Sequence, residues 1–210
     1  MNTINSVKSG RFESVLGWLK KRRTLALKIA FPALIIENIF TGDKPHELFP
    51  PGVSTMAVAG VILVVIGAFV RLWARGHFVK GRLFTTGPYA LVRHPLYLGS
   101  FLVVCGALCQ LNDWLNWVVI LLLLVVFYGA AIVHEERALA KRFGREWVLY
   151  RAEVPAFIPS LRNWSLMQKG RWRSKIFLST GELKTTLLFL GLPLLIELIE
   201  DSIFERLLLY

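Results

Sequence analysis

The sequence is poor in the residues from which many sites are built. It holds two cysteines, Cys105 and Cys109. They stand four apart in an apolar run, on one helix face, where a stabilising disulfide is not expected; a small apolar packing role is the ordinary one. The four histidines, His46, His77, His94 and His134, show no paired metal spacing and no neighbouring thiolate, so no metal centre is expected. There is no Walker glycine loop and no dinucleotide fingerprint after a strand. GxSxG is absent too, which removes support for a serine hydrolase. Internal repeats and low-complexity tracts are missing. The N-terminus is polar until about Leu25 and lacks a small-residue cleavage pattern, so membrane segments themselves are expected to direct insertion.

Charge is scarce as well. Charged residues make up 19% of the 210 positions, yet the net charge is +11. Hydrophobic residues reach 55%, with a mean hydropathy of +0.53. That mixture fits a membrane protein whose basic residues are confined to its loops. A pI near 10.1 is also a mark of nucleic-acid binding. Here the basic residues are separated by apolar blocks too long for a soluble basic face, and that class ranks well behind.

Taken in order, Met1 to Arg23 is a polar, basic flank carrying Lys20-Lys21-Arg22-Arg23. Thr24 to Phe40 is a marginal apolar segment interrupted by Lys28, Pro32 and Glu37, spanning or partly interfacial. Thr41 to Gly52 is a loop by its Pro, Gly and Asp content. Val53 to Trp73 is the cleanest spanning helix. A basic loop follows with Arg71, Arg75, Lys80, Arg82 and Arg93. Leu96 to Leu111 and Trp114 to Val133 form an antiparallel hairpin about an Asn112-Asp113 turn. The second of these continues through EERALAKRFG to a stop at Gly144. Leu183 to Ile196 is a last apolar run, spanning or lying at the surface. The positive-inside rule places the N-terminus, the 71–93 loop and the 134–181 segment on the cytoplasmic side. The expected architecture is an all-α, polytopic membrane bundle of four to five transmembrane helices. It divides into a flank, 1–23, a core, 24–182, and a C-terminal apolar helix, 183–210.

One stretch organises the chain: GRLFTTGPYALVRHPLYLGS, Gly81 to Ser100. Gly87-Pro88 is a turn signal. His94-Pro95 ends an extended run, because the residue before a proline is pushed out of the helical region. Pro95 then suits the first position of the next helix, where its missing N–H costs nothing. The hairpin brings this turn to the same end as Glu135 and Glu136. Alone, that glutamate pair reads as solvated residues at a helix end. A carboxylate at the bilayer centre costs about 2.5–3.5 kcal/mol, and near the interface much less. Together the elements offer a carboxylate, an imidazole, a phenol and open backbone groups to a cationic or ribose-bearing ligand.

TTGPYALVRHPLYLG, followed after the hairpin by HEERALAKRFGREWVLYRAEVPAFIP, resembles the isoprenylcysteine carboxyl methyltransferase and phospholipid methyltransferase family. The resemblance covers roughly Arg71 to Pro159. It implies an integral membrane enzyme that uses S-adenosylmethionine and holds it in a cytoplasmic pocket. By position, Gly81, Arg82, Leu83 and Phe84 match a cofactor-contacting stretch, and Tyr89 matches a cofactor-binding tyrosine. His94, Pro95, Leu96 and Tyr97 match the central cofactor motif. Glu135 matches an acidic residue at the reaction centre, with Glu136 beside it; Glu135 and His94 are the expected catalytic pair. Arg93 has the plainer option of pairing with a helix end or a lipid phosphate, and Gly99 that of close helix packing.

One position departs from the pattern. The prenylcysteine enzymes carry an arginine four residues before this glutamate, suited to a substrate carboxylate. Here Ala131 stands there. The expected acceptor is therefore another lipophilic molecule, such as a lipid amine, a thiol or a small apolar compound. Two alternatives stand beside methyl transfer: an NADPH-dependent membrane reductase of the sterol-reductase type, and a non-catalytic protein on the same scaffold. The expected location is a bacterial inner membrane, with membrane lipids as neighbours and no nucleic-acid partner.

Overall fold

A computed structural model describes residues 2–41, 46–49, 52–78, 81–111, 113–174 and 181–208. Among them every regular element is helical: α1 (Asn2–Thr41), α2 (Thr55–His77), α3 (Pro95–Leu108), α4 (Trp114–Phe143), α5 (Arg145–Glu153), α6 (Trp164–Met167) and α7 (Glu182–Leu208), with 3-10 turns at Gly87–Ala90 and Leu161–Asn163. The all-helical expectation holds. Lys80 and Asn112, assigned to the basic loop and the hairpin turn, lie outside the described residues, as does part of the 41–52 loop.

Among the described residues, two helices are long and apolar enough to cross a bilayer: α2, with mean hydropathy 2.3, and α4, with 2.5. Only 28% and 22% of their apolar windows are buried in the bundle. Ile62, Val65 and Phe69 on α2 and Leu122, Val125 and Val126 on α4 face outward. Such an apolar surface on two long helices suits lipid, not water, and the protein is a membrane protein. The helix α3 has 14 residues, about 21 Å at 1.5 Å per residue and short of the ~30 Å hydrocarbon core. Of the four to five crossings of the sequence reading, two are supported by length and composition among the described residues.

The expected boundaries hold closely where a cap sets them. Ser54 caps α2, its side chain accepting from Met56 N at 3.2 Å. Asp113 caps α4, accepting from Leu115 N at 2.9 Å and Asn116 N at 3.2 Å. Pro95 opens α3, as its missing N–H predicts. Gly144, at φ 50°, separates α4 from α5. The 1–23 flank runs on into the apolar segment as one helix, α1. Leu16 is buried, and Arg137 Nη1 in the C-terminal part of α4 donates to Glu13 Oε1 at 2.8 Å. A helical partner, absent from a reading of local charge, holds the basic stretch in the bundle.

The closest packing joins α2 to α3. Gly60 and Gly67 are seven residues apart, as are Gly99 and Gly106, so each pair shares a helix face. A Cβ on Gly60 would lie 2.5 Å from Gly106 O, and one on Gly67 2.5 Å from Gly99 O. Small residues let the backbones meet, as in membrane helix pairs generally. The packing role for Gly99 is the one observed. Gly67→Leu is expected to cost about 1–3 kcal/mol through overpacking, read as a lower unfolding temperature in detergent. The exposed Gly129→Leu, with nothing within 4 Å, should leave that temperature nearly unchanged.

Helix α4 packs on α1 instead. At the end away from the 81–94 loop, Asn116 Nδ2 donates to Asn38 Oδ1 at 2.7 Å, both buried. Helix α7 runs beside α2 in the opposite sense. Near its start Glu182 meets Arg71 and Arg75. Fifteen residues on, Glu197 accepts from Leu48 N at 3.0 Å. It therefore traverses the same depth as α2, despite Pro193 within it.

Candidate active site

The 81–94 segment folds back across the ends of α2 and α4. Gly81 and Gly87 take positive φ, 100° and 63°, a region open to glycine at little cost. A Cβ on Gly87 would also strike the His77 ring, 2.6 Å from Cδ2. The turn thus requires glycine on two grounds. It delivers Tyr89 into a buried position, where Phe84 stacks on it at 5.6 Å and Phe78 on Phe84 at 5.3 Å.

Tyr89 has its backbone carbonyl bound by Tyr150 Oη, which donates at 2.8 Å in a buried setting. Burial pushes both phenols above their ordinary range; the Glu135 carboxylate raises Tyr89 further, and Tyr89 raises Tyr150. Both stay neutral in the fold. Because the unfolded phenols ionise near pH ~10, stability is complete below that pH and falls above it, by about 1.4 kcal/mol per pH unit for each tyrosine. Alkaline unfolding followed by tyrosinate absorbance should therefore be less steep in Tyr150→Phe.

Arg93 holds the second layer. Its Nη1 donates to Arg151 O and Val154 O, each at 2.9 Å, capping the C-terminal end of α5. Its Nη2 pairs with Glu136 Oε1 at 2.8 Å, and its guanidinium lies over Trp147 at 5.8 Å. The helix-end role of Arg93 is the one observed. Backbone bonds continue the join: Arg93 N donates to Pro155 O at 2.8 Å, and Ser160 N to Leu91 O at 2.9 Å.

His94 is 4% exposed. Its Nε2 lies 3.3 Å from Glu136 Oε1; a carboxylate only accepts, so Nε2 carries the hydrogen. The ring meets Tyr97 edge-on at 5.7 Å, and Tyr97 meets Tyr128 of α4 at 5.3 Å. Glu136, expected near a ligand, is engaged by Arg93 and His94. Glu135 enters no ion pair among the described residues and acts on Tyr89. Of the remaining expected positions, Leu83 packs on the Trp147–Tyr150–Val154 cluster. Gly81 O accepts from Arg142 Nη2 at 3.4 Å, and Arg82 is exposed. Pro95 is buried, and Leu96 O accepts from Arg71 Nη1 at 3.3 Å.

The result is an aromatic wall, Phe78–Phe84–Tyr89, and a second, His94–Tyr97–Tyr128, with the Glu135 carboxylate near enough to act on Tyr89. Aromatic faces and a carboxylate suit a flat base and a cationic sulfur centre. The sequence profile of the phospholipid methyltransferase family matches residues 55–146, which contain both walls. Cobalt-zinc-cadmium resistance protein CzcN of Cupriavidus metallidurans is 32% identical over 152 residues, 70% of this chain and 67% of the relative. Protein-S-isoprenylcysteine O-methyltransferase of Schizosaccharomyces pombe is 38% identical over 150 residues, 71% of this chain and 64% of that one. The chain belongs to the isoprenylcysteine carboxyl methyltransferase and phospholipid methyltransferase family.

A further relative of the family is the nickel-cobalt-cadmium resistance protein NccN of Alcaligenes xylosoxydans xylosoxydans, 30% identical over 154 residues, 70% of this chain and 67% of the relative. No solved structure matches the chain. The family match ends before Tyr150 and Glu182, both buried at the site's border. The sequence reading missed Tyr150 and Glu182. The one legible signal for the latter is that it is the only acidic residue between Glu153 and Glu197. Ala131, the departing position, is fully buried.

Proposed function

We propose that the protein transfers a methyl group from S-adenosylmethionine to a lipophilic acceptor at the cytoplasmic face of a membrane. The observation that carries this reading is the His94–Glu136 contact at 3.3 Å, which joins the two separated parts of the family motif at one end of the bundle, with the Glu135 carboxylate within electrostatic range of Tyr89. S-Adenosylmethionine, when bound, supplies a methyl group activated by a sulfonium charge. Phe84, Tyr89 and Tyr97 would hold it by their ring faces, and Glu135 by its charge.

The chain's own task is positional. The two aromatic walls exclude water, and the fixed α3 start orients the acceptor for in-line attack. His94 positions Glu136 and Tyr97, its Nε2 hydrogen directed at Glu136 Oε1. An amine acceptor must arrive unprotonated, whereas a carboxylate or thiolate needs no base. Ala131 favours an acceptor other than the carboxylate of a prenylated cysteine.

The same reading places the N-terminus and the 134–181 segment in the cytoplasm, by the distribution of Lys and Arg. Residues 24–182 form the methyltransferase core, and 183–210 an added helix beside α2. A bacterial inner membrane fits the compact chain. Calorimetry with S-adenosylhomocysteine tests the cofactor, with NADPH as the competing ligand. Transfer of radiolabelled methyl groups into a membrane lipid extract tests the activity. A folded sample that binds no S-adenosylhomocysteine, or binds NADPH in its place, sinks the proposal.

A further inference from the structure

The basic end of α2 carries two arginines one turn apart, and they are not equivalent. Arg71 has all three of its nitrogens engaged. Its Nε and Nη2 donate to Glu182 Oε1 at 2.9 and 2.7 Å. Its Nη1 donates to Leu96 O at 3.3 Å and to Ser100 Oγ. It ties α2, the start of α3 and α7 together. Arg75 commits only Nε, 3.3 Å from Glu182 Oε2. Its two Nη groups have no partner among the described residues. Its guanidinium lies 5.8 Å from the Phe78 ring centre, the first ring of the wall that ends in Tyr89. It is also the more exposed of the pair, 26% against 15%.

Charge gives the same picture. Two guanidinium groups share one carboxylate, and Glu182 is 2% exposed. One positive charge is left over, on the side of Arg75 that faces away from Glu182. A guanidinium fork with both Nη groups open, beside a flat aromatic wall, matches the planar, bidentate geometry of a carboxylate. Nothing in the phospholipid methyltransferase match points to Glu182, which lies beyond residue 146.

Resting on the cofactor pocket proposed above, we infer that Arg75 is an anion-binding residue of that pocket, aimed by Glu182, and that it takes a ligand carboxylate. Glu182 is a positioning residue: it fixes the Nε side of the guanidinium and turns the Nη side outward. The carboxylate has two possible sources, the amino-acid end of the cofactor and an acidic group on the acceptor. Helix α7 thereby contributes to the site from outside the matched region.

The test uses the full chain in detergent and three probes: S-adenosylhomocysteine, 5′-methylthioadenosine (which lacks the amino-acid carboxylate) and oleate as a lipophilic carboxylate. If the cofactor supplies the group, Arg75→Gln weakens S-adenosylhomocysteine roughly 10- to 100-fold and leaves 5′-methylthioadenosine within about twofold. Glu182→Gln follows in the same direction with a smaller loss. If the acceptor supplies it, Arg75→Gln spares both nucleosides and loses oleate. Arg75→Lys keeps the charge without the fork and falls between in either case. Equal weakening of both nucleosides, or no change with any probe, overturns the inference. Wild-type protein that binds neither nucleoside defeats the cofactor reading instead, and the oleate arm then decides Arg75 alone.

Discussion

Arg93→Ala is expected to give the largest loss of stability of any single substitution at the site, and to remove S-adenosylhomocysteine binding with it. The side chain is 9% exposed and answers three demands at once. It satisfies two carbonyls at the end of α5, neutralises Glu136 and covers the Trp147 ring. Truncation leaves two helix-end carbonyls without their donor and a half-buried carboxylate without its closest cation. Breaking a buried pair from one side costs about 3–5 kcal/mol, which corresponds to about 6–20 °C in unfolding temperature for a chain of this size. Arg93→Lys keeps a charge but has no planar fork to reach the carbonyls and the carboxylate together, so it recovers only part of the loss. Thermal unfolding in detergent and calorimetry on the same samples check both effects. An Arg93→Ala protein that melts with the wild type and binds the ligand equally would remove Arg93 from this role.

What the sequence made legible follows from how far each signal reaches. Pro95 and Gly144 act on their own backbone, and α3 starts and α4 stops where they predict, while Ser54 and Asp113 cap α2 and α4 close to the expected starts. The meeting of the His94 turn with the end of α4 also followed from the short hairpin. Which glutamate faces which partner did not. Glu135 and Glu136 are neighbours on a helix about 100° apart in projection, so only the placement of α4 against the 81–94 loop decides that Glu136 meets His94 and Glu135 acts on Tyr89. The partners of the basic flank were illegible for a related reason: Glu13 finds Arg137 only once α4 stands beside it. Glu182 is the extreme case, since its two arginines lie more than a hundred residues away.

That difference between adjacent glutamates gives the sharpest functional prediction. Glu135→Gln is expected to lower methyl transfer by about 100-fold or more, the scale for removing a preorganised charge from a water-poor site. It should leave the unfolding temperature almost unchanged, because no ion pair of Glu135 exists among the described residues to be lost. Glu136→Gln should invert the pattern at first order. It strips the charge from a carboxylate bound by Arg93 at 2.8 Å and His94 at 3.3 Å, so the protein melts earlier. Its activity should then recover on cooling or on addition of S-adenosylhomocysteine-stabilising lipid conditions only as far as the fold recovers, whereas no such treatment restores Glu135→Gln. Measuring activity and unfolding temperature on both variants separates a charge that acts on the ligand from a charge that acts on the wall. If Glu135→Gln retains activity within about twofold of wild type, the reaction-centre role passes away from Glu135. The two walls, through Tyr89 and Tyr97, would then have to hold the cationic centre by their ring faces alone, a weaker interaction of about 0.5–2 kcal/mol per ring.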